Sequence, residues 1–283
     1  MRVETENPFL TQQSRVLQQD HQVQDLFSQI LESVGRQGYA SAEPVGEEPI
    51  TSDQITESWG TWFDVHRSGQ YSAADQPDSL RQAYGEVLVG AYSDGGYVDP
   101  KTFLKGLSKE QLKTVQEVNA LADPINVDNL TEEGALNLLL PRAAQVDINH
   151  DGFTQSGRGY GFRFPDSTTP PDVVQAWEET TAGMSWGERA MHELQMKMPL
   201  ISANFFVDAN GAYSHHYEPG DPEFTNPMTK PGYSYQKVAQ GWLDHYEYLK
   251  NETPPEQYAQ QTDFWSRFKS ALIEQGADKG RPA

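Results

Sequence analysis

The residues between 147 and 155 carry the clearest chemical signal in the sequence. Asp147, Asn149 and Asp151 place oxygen-bearing side chains at alternate positions, and Gly152 stands at the sixth position of the run. Side chains spaced in this way can surround a hard cation, because the glycine permits a sharp turn and the next residue offers its carbonyl oxygen. The sequence therefore predicts a short, oxygen-lined cation loop.

The run resembles the calcium loops of EF-hand proteins and dockerin modules over residues 147–158. The resemblance implies side-chain ligands at the first, third and fifth positions, a carbonyl ligand at the seventh, and a ligand acting directly or through water at the ninth. Calcium is the cofactor that it implies. The five implied ligand residues are Asp147, Asn149, Asp151, Phe153 and Gln155.

The sequence also departs from this resemblance. Arg158 stands at the twelfth position, where a bidentate glutamate is expected, and Pro141 interrupts any helix entering the loop. Gly157, Gly159 and Gly161 disfavour a helix leaving it. The helix–loop–helix lever of a calcium sensor is therefore not expected.

Three interpretations of the loop follow. Calcium accepts roughly six to eight oxygens in loose geometry, so an outside carboxylate such as Asp166 could complete a structural site. Alternatively, the Asp and Asn side chains bond their own backbone and form a metal-free turn. A regulatory sensor is the third interpretation, and the departures favour it least.

A second group of ionisable residues surrounds His215 and His216, with Asp208 before them and Glu218 after them. Neighbouring residues of a strand point to opposite faces, so the two imidazoles are not expected to ligate one ion. A hydrolase acting in a cleft between helical lobes would use either histidine with one of these carboxylates. The sequence leaves open whether the protein is an enzyme.

Apolar periodicity and capping residues predict a mainly α fold. We expect a multi-helix, bundle-like body with one small β-hairpin at about 204–216 and an irregular middle segment. Asn210-Gly211 predicts a type I′ turn in that hairpin.

Three helical features are specific enough to compare with a structure. The first helix is expected from Thr11 to Val34, and capping boxes are expected at Ser108 with Gln111 and at Ser185 with Glu188. Behind the second box, the inward stripe is predicted to be Met191, Leu194 and Met198. Core aromatic residues are predicted at Trp59, Trp62 and Phe63.

Shifts in composition divide the chain into six parts. They are an N-terminal amphipathic helix (1–36), a linker (37–51), a helical lobe (52–141), an irregular loop with the calcium-like motif (142–168), a helical lobe with the hairpin (169–276) and a tail (277–283). The first helix either packs on the body or makes the protein an interaction module that docks through this helix.

Composition excludes several classes of function. The 283 residues include no cysteine, which removes disulfide scaffolds, thiolate metal sites and cysteine nucleophiles. With 21 basic and 41 acidic residues the formal charge is −20, which disfavours nucleic acids and anionic membranes as partners. The N-terminal sequence lacks a signal-peptide pattern, so a cytoplasmic location is expected, with signal-independent export left open.

The expected role is binding or structural, with the cation loop supporting the irregular middle segment. A protein or carbohydrate partner is compatible with aromatic side chains in loops, which offer contact area at a low entropic cost. These loop aromatics are Tyr160, Phe162, Phe164, Tyr217, Phe224 and Tyr233. The sequence does not indicate an oligomeric state.

Overall fold

The computed structural model describes residues 8–46 and 48–278, and it confirms a mainly α fold. The described α-helices are α1 (Pro8–Ser33), α2 (Ser52–His66), α3 (Pro77–Ser93), α4 (Pro100–Gly106), α5 (Lys109–Val118), α6 (Glu132–Asn137), α7 (Pro171–Thr181), α8 (Trp186–Asn204), α9 (Tyr235–Tyr248) and α10 (Pro255–Glu274). Two antiparallel pairs accompany them: β1 (Thr154–Ser156) with β2 (Gly159–Gly161), and β3 (Phe205–Val207) with β4 (Tyr213–His216). Of the predicted tail, residues 279–283 lie outside the described residues.

The described residues divide into two compact units. The first unit holds the described residues up to Asn149, together with Phe153–Gly161 and Asp166–Thr168. The second unit holds His150–Gly152, Phe162–Pro165 and the described residues from Thr169 onward. Each unit has its own hydrophobic core.

The core of the first unit begins with the apolar stripe of α1. The prediction of a first amphipathic helix is confirmed, and its stripe packs within the unit, where α1 lies against α2. The buried stripe residues are Val23, Leu26, Phe27, Ile30 and Leu31. The predicted core aromatics of α2 are buried as well, and the Trp59 and Trp62 rings stack with their centroids 5.6 Å apart. The apolar stripe of α1 is therefore buried by packing within its own unit.

Several helices begin at capping motifs that are present in the sequence. Both predicted capping boxes are present, at Ser108 with Gln111 and at Ser185 with Glu188. The start of α2 carries a third box, in which Thr51 caps the helix with Gln54. These motifs are readable in the sequence because each satisfies orphan N–H groups within four residues.

The buried face of α8 differs from the predicted stripe. Met191 and Leu194 are 42% and 46% exposed, and Met198 is half-buried. The residues that α8 buries are His192, Gln195, Met196, Lys197, Leu200 and Asn204. The prediction was wrong because polar residues of α8 turn inward and find hydrogen-bond partners inside the second unit.

The hairpin of β3 and β4 lies within the predicted range, but its turn differs. Gly211 has a positive φ of 78°, whereas Asn210 is absent from the described non-glycine residues with positive φ, so the turn is not type I′. The Asp208 carboxylate accepts the N–H groups of Asn210 and Ala212 at 2.8 and 3.0 Å. This side chain organises a longer loop, in which Gly211 N–H donates to the Asp208 carbonyl.

The hairpin of β1 and β2 was not predicted, because the glycine-rich stretch around it shows no alternation of apolar and polar residues. It rests on the first turn of α6, where the Gly157 N–H donates to the Gly134 carbonyl at 2.9 Å. A Cβ atom at Gly134 would lie 2.0 Å from the Gly157 oxygen. The close approach therefore requires glycine at position 134.

A buried histidine gives the second unit a testable pH dependence. His192 stacks on Phe264 with ring centroids 3.5 Å apart, and its Nδ1 lies 2.8 Å from Gln195 Oε1. Gln195 in turn donates to the Tyr246 hydroxyl and to Gln261 Oε1. Burial lowers the pKa of His192, because desolvation disfavours the charged imidazolium.

We predict that the free energy of unfolding decreases as the pH falls below about 6.5, because the unfolded histidine then binds a proton that the folded one resists. His192→Phe keeps an aromatic ring against Phe264. The variant should have a shallower decrease between about pH 7 and pH 5, measured by urea unfolding at a series of pH values. Equal slopes for the two proteins would contradict the prediction.

Candidate functional site

A buried carboxylate fixes the backbone on both sides of the predicted cation loop. Glu133, in the first turn of α6, is 3% exposed. Its Oε2 accepts the N–H of Ile148 at 3.1 Å, and its Oε1 accepts the N–H of Gln155 at 2.7 Å. The Glu133 side chain therefore links Ile148, the second residue of the run, to Gln155, its ninth residue.

Two buried amides complete this support. Asn137 Nδ2 donates to the carbonyls of Val146 and Gln155 at 2.8 and 2.7 Å, and its Oδ1 accepts the N–H of Val146. Gln145 Nε2 donates to the Asn137 carbonyl at 2.9 Å. These side-chain hydrogen bonds satisfy backbone N–H and C=O groups that would be paired by a neighbouring strand in a β-sheet. They are needed because a buried backbone without regular secondary structure must still satisfy its polar groups.

Four predicted ligand residues belong to the first unit. Asp147 is 2% exposed, and its N–H donates to Ser167 Oγ at 2.9 Å. Asn149 is exposed, and the Phe153 ring contacts Tyr160 edge-on at 5.9 Å. Gln155 is buried, and its Oε1 accepts a hydrogen bond from the Thr131 hydroxyl.

The fifth predicted ligand, Asp151, belongs to the second unit and is half-buried. The carbonyls on either side of it are both hydrogen-bonded within that unit. Asn226 Nδ2 donates to the His150 carbonyl at 2.9 Å, and Lys197 Nζ donates to the Gly152 carbonyl at 3.0 Å. Sequence reasoning missed both donors, since neither is near the run in the chain.

The backbone turns twice through the left-handed region. His150 has φ of 58° and Gly152 has φ of 90°, at the fourth and sixth positions of the run. A Cβ atom at Gly152 would also lie 2.7 Å from Leu200 Cδ2. Both the positive φ and this close approach require the glycine that the sequence places there.

Carboxylates and imidazoles do not gather into a metal centre in the described part of the chain. No group of three or more His, Cys, Asp or Glu residues able to hold a metal ion occurs among residues 8–46 and 48–278. The calcium prediction also uses amide and carbonyl oxygens, which such a grouping does not include. Calcium binding therefore stays a prediction.

The histidines of β4 lie on opposite faces of their hairpin. His216 pairs with Phe205 and stacks on it at 5.0 Å, while His215 pairs with Phe206 and stacks on it at 4.6 Å. The expectation that the two imidazoles would not converge is confirmed. His216 Nε2 lies 3.4 Å from Glu218 Oε1.

The Asp208 carboxylate lies at the turn of the hairpin, where it accepts two backbone hydrogen bonds. Hydrogen bonds from the N–H groups of Ala212 and Asn210 lower the pKa of this carboxyl group. It therefore acts as a turn-forming residue. This placement does not favour a catalytic pair between Asp208 and either histidine.

The most unusual property of this hairpin is its exposure. Phe205 is 53% exposed, Phe206 36%, Val207 68% and Tyr213 60%. All seven strand residues belong to the exposed class. Sequence reasoning placed the hairpin but did not indicate that its apolar residues would remain uncovered.

The loop aromatics are only partly available to a ligand. Phe164 is 1% exposed and belongs to the core of the second unit, so it does not contribute to a binding surface. Tyr160 and Phe162 are 47% and 49% exposed. Tyr217, Phe224 and Tyr233 are half-buried.

No helix in the described residues combines the length and apolar character needed to cross a bilayer. Comparison of the chain with protein-family models, curated proteins and solved structures finds no match. The functional assignment therefore depends on the chemistry of the residues themselves.

We predict that Glu133→Gln destabilises the first unit. An amide has one accepting oxygen in place of two, and its NH₂ group would face a backbone N–H. Loss of one charge-assisted hydrogen bond should lower the free energy of unfolding by about 1.5–3 kcal/mol, measured by urea unfolding.

The adjacent Glu132 offers a matched control. It pairs with Arg36, and its side chain is 49% exposed. Glu132→Gln should change the stability by less than about 1 kcal/mol. Equal effects of the two substitutions would contradict the role assigned to Glu133.

Proposed function

We propose that the protein is a binding protein that docks a basic, extended protein segment on the hairpin of β3 and β4. The observation that carries this proposal is the exposure of apolar and aromatic side chains on both faces of the hairpin. Contiguous exposed apolar surface is uncommon in proteins that act alone, and it commonly marks an interaction site.

Strand geometry favours an extended partner. The hairpin is a two-stranded sheet, so each strand has an outer edge that pairs with no other strand in the described residues. Such edges offer N–H and C=O groups to an added strand, while flanking side chains select its residues. An isolated two-stranded hairpin is also only marginally stable in water, so a third strand would stabilise it.

Charge favours a basic partner. Residues 198–229 contain no Lys or Arg, and they contain four acidic residues, Asp208, Glu218, Asp221 and Glu223. The whole chain has a formal charge of −20. Lysine and arginine side chains of a partner would meet this field and could lie over the exposed Phe and Tyr rings. The same field opposes nucleic acids and anionic membranes.

The structure offers less support for a hydrolase or for docking through the first helix. A hydrolase would need a histidine beside a free carboxylate in a sheltered site, whereas His215 and His216 are exposed and separated by the sheet. Docking through the first helix would need an apolar stripe that is exposed, whereas the stripe of α1 is buried.

The test uses a fluorescent peptide of alternating lysine and valine, with anisotropy as the readout. We predict saturable binding that weakens as the ionic strength rises from about 0.05 to 0.3 M, because exposed charges are screened. Replacing both Phe205 and Val207 with serine should weaken binding by about tenfold or more, because buried apolar anchors dominate the energy of most interfaces.

Tyr248→Ser provides a matched control, because Tyr248 is 85% exposed on α9, outside the hairpin. It should leave the affinity unchanged, and a glutamate–valine peptide should not bind. Equal binding of the two peptides, or unchanged binding by the double variant, would refute the proposal. Salt-independent binding of an oligosaccharide, or dimerisation that the double variant abolishes, would instead identify a sugar or a second copy as the occupant.

A further inference from the structure

A buried amide on α10 donates a hydrogen bond to a sulfur atom on α8. Gln261 is 3% exposed, and its Nε2 lies 3.9 Å from Met191 Sδ. A thioether sulfur is a weak acceptor, whereas buried amide N–H groups ordinarily find an oxygen. No oxygen of the described residues accepts a hydrogen bond from this Nε2, so the buried donor has no acceptor stronger than a thioether.

The other end of the Gln261 amide fixes its orientation. Gln195 Nε2 donates to Gln261 Oε1 at 3.2 Å, and it also donates to the Tyr246 hydroxyl at 3.0 Å. Turning the Gln261 amide over would place its NH₂ group against the NH₂ group of Gln195, donor against donor. Nε2 of Gln261 therefore stays directed at Met191.

Met191 is also the methionine that solvent reaches most readily in the described part of the chain. Its side chain belongs to the exposed class, with 42% of the residue accessible. The other methionines among the described residues are half-buried or buried, namely Met184, Met196, Met198 and Met228. Because oxidation of methionine follows exposure, a small oxidant should attack Met191 before these four.

We propose that Met191 is a modification site, at which hydrogen peroxide or an organic hydroperoxide forms methionine sulfoxide and the new oxygen accepts the Gln261 hydrogen bond. The S–O bond forms as the O–O bond of the peroxide breaks. The sulfur loses two electrons, and the peroxide is reduced to water or to an alcohol. This inference is independent of the hairpin and of its partner.

The geometry reverses the usual effect of this modification. Methionine oxidation commonly disrupts packing, because it makes an apolar side chain polar. Here the oxygen would stand one bond length from Met191 Sδ, in the 3.9 Å interval that separates this sulfur from Gln261 Nε2. It can therefore approach Nε2 to the ordinary N–H···O distance of about 2.7–3.2 Å. The oxidised chain should be more stable than the reduced chain.

The first measurement is the order of oxidation. The chain is treated with hydrogen peroxide until its intact mass shows an average of one added oxygen, and peptide mass mapping then locates that oxygen. We expect Met191 to be oxidised faster than the other four described methionines. A methionine sulfoxide reductase should remove the oxygen after mild denaturation exposes the site.

The second measurement is the melting temperature before and after oxidation. The unmodified chain should melt roughly 2–4 °C higher when oxidised, the shift expected for one additional hydrogen bond to a buried donor. Gln261→Leu removes the donor, so oxidation should lower the melting temperature of this variant. Comparing the oxidised and reduced forms of each protein cancels any loss of stability that the substitution itself causes.

A glutamine at position 191 reproduces the oxidised side chain without peroxide. Its Cδ takes the place of the sulfur, and its Oε1 stands one bond length beyond, as the sulfoxide oxygen would. Met191→Gln should therefore melt higher than Met191→Leu, which offers no acceptor. This comparison tests the proposal even where Gln261→Leu fails to fold.

Met198→Leu is the matched control, because Met198 is a half-buried methionine on the same helix. This variant should be oxidised at Met191, and its melting temperature should rise as in the unmodified chain. Oxidation of Met191 no faster than that of Met198 would overturn the proposal. So would an equal fall in the melting temperatures of the unmodified chain and Gln261→Leu on oxidation, or a Met191→Gln variant that melts no higher than Met191→Leu.

Discussion

The rule that a buried polar group must find a partner governs the irregular middle of this chain. Residues 145–148 are buried or half-buried and form neither helix nor strand, so their N–H and C=O groups need partners from elsewhere. Glu133 and Asn137, four residues apart on α6, bind both polar groups of the Val146 backbone and the N–H of Ile148. The spacing places both side chains on one face of the helix, so a single helical turn supports the segment.

The same rule explains why α8 turns polar residues inward. Its buried face carries His192, Gln195 and Lys197, each bonded within the second unit. Met191 and Leu194 remain exposed as a result. A helix that satisfied apolar burial alone would rotate these two residues into the core, and the polar side chains would then lose their partners.

Features whose causes are local could be read from the sequence. The capping boxes at Ser108 and Ser185 need only residues three positions apart, and the stripe of α1 repeats over many turns. The inward face of α8 could not be read, because its partners Tyr246 and Gln261 lie more than 50 residues away in the chain. In the hairpin, the Asp208 carboxylate accepts two backbone N–H groups and so determines the conformation of the turn. The Asn-Gly pair alone did not indicate this role of Asp208.

In the candidate site, too, some residues could be identified from the sequence and others could not. Gly152 was recognised from its position in the run, because glycine is the residue that most readily adopts the positive φ of such a turn. Glu133 escaped notice because an acidic residue in the first turn of a helix is ordinarily explained by the helix dipole. Lys197 escaped notice because a lysine in a polar helix normally faces water. In the structure Lys197 is fully buried and its Nζ donates to the carbonyl of Gly152, 45 residues away in the chain, so no local pattern in the sequence could have indicated its position.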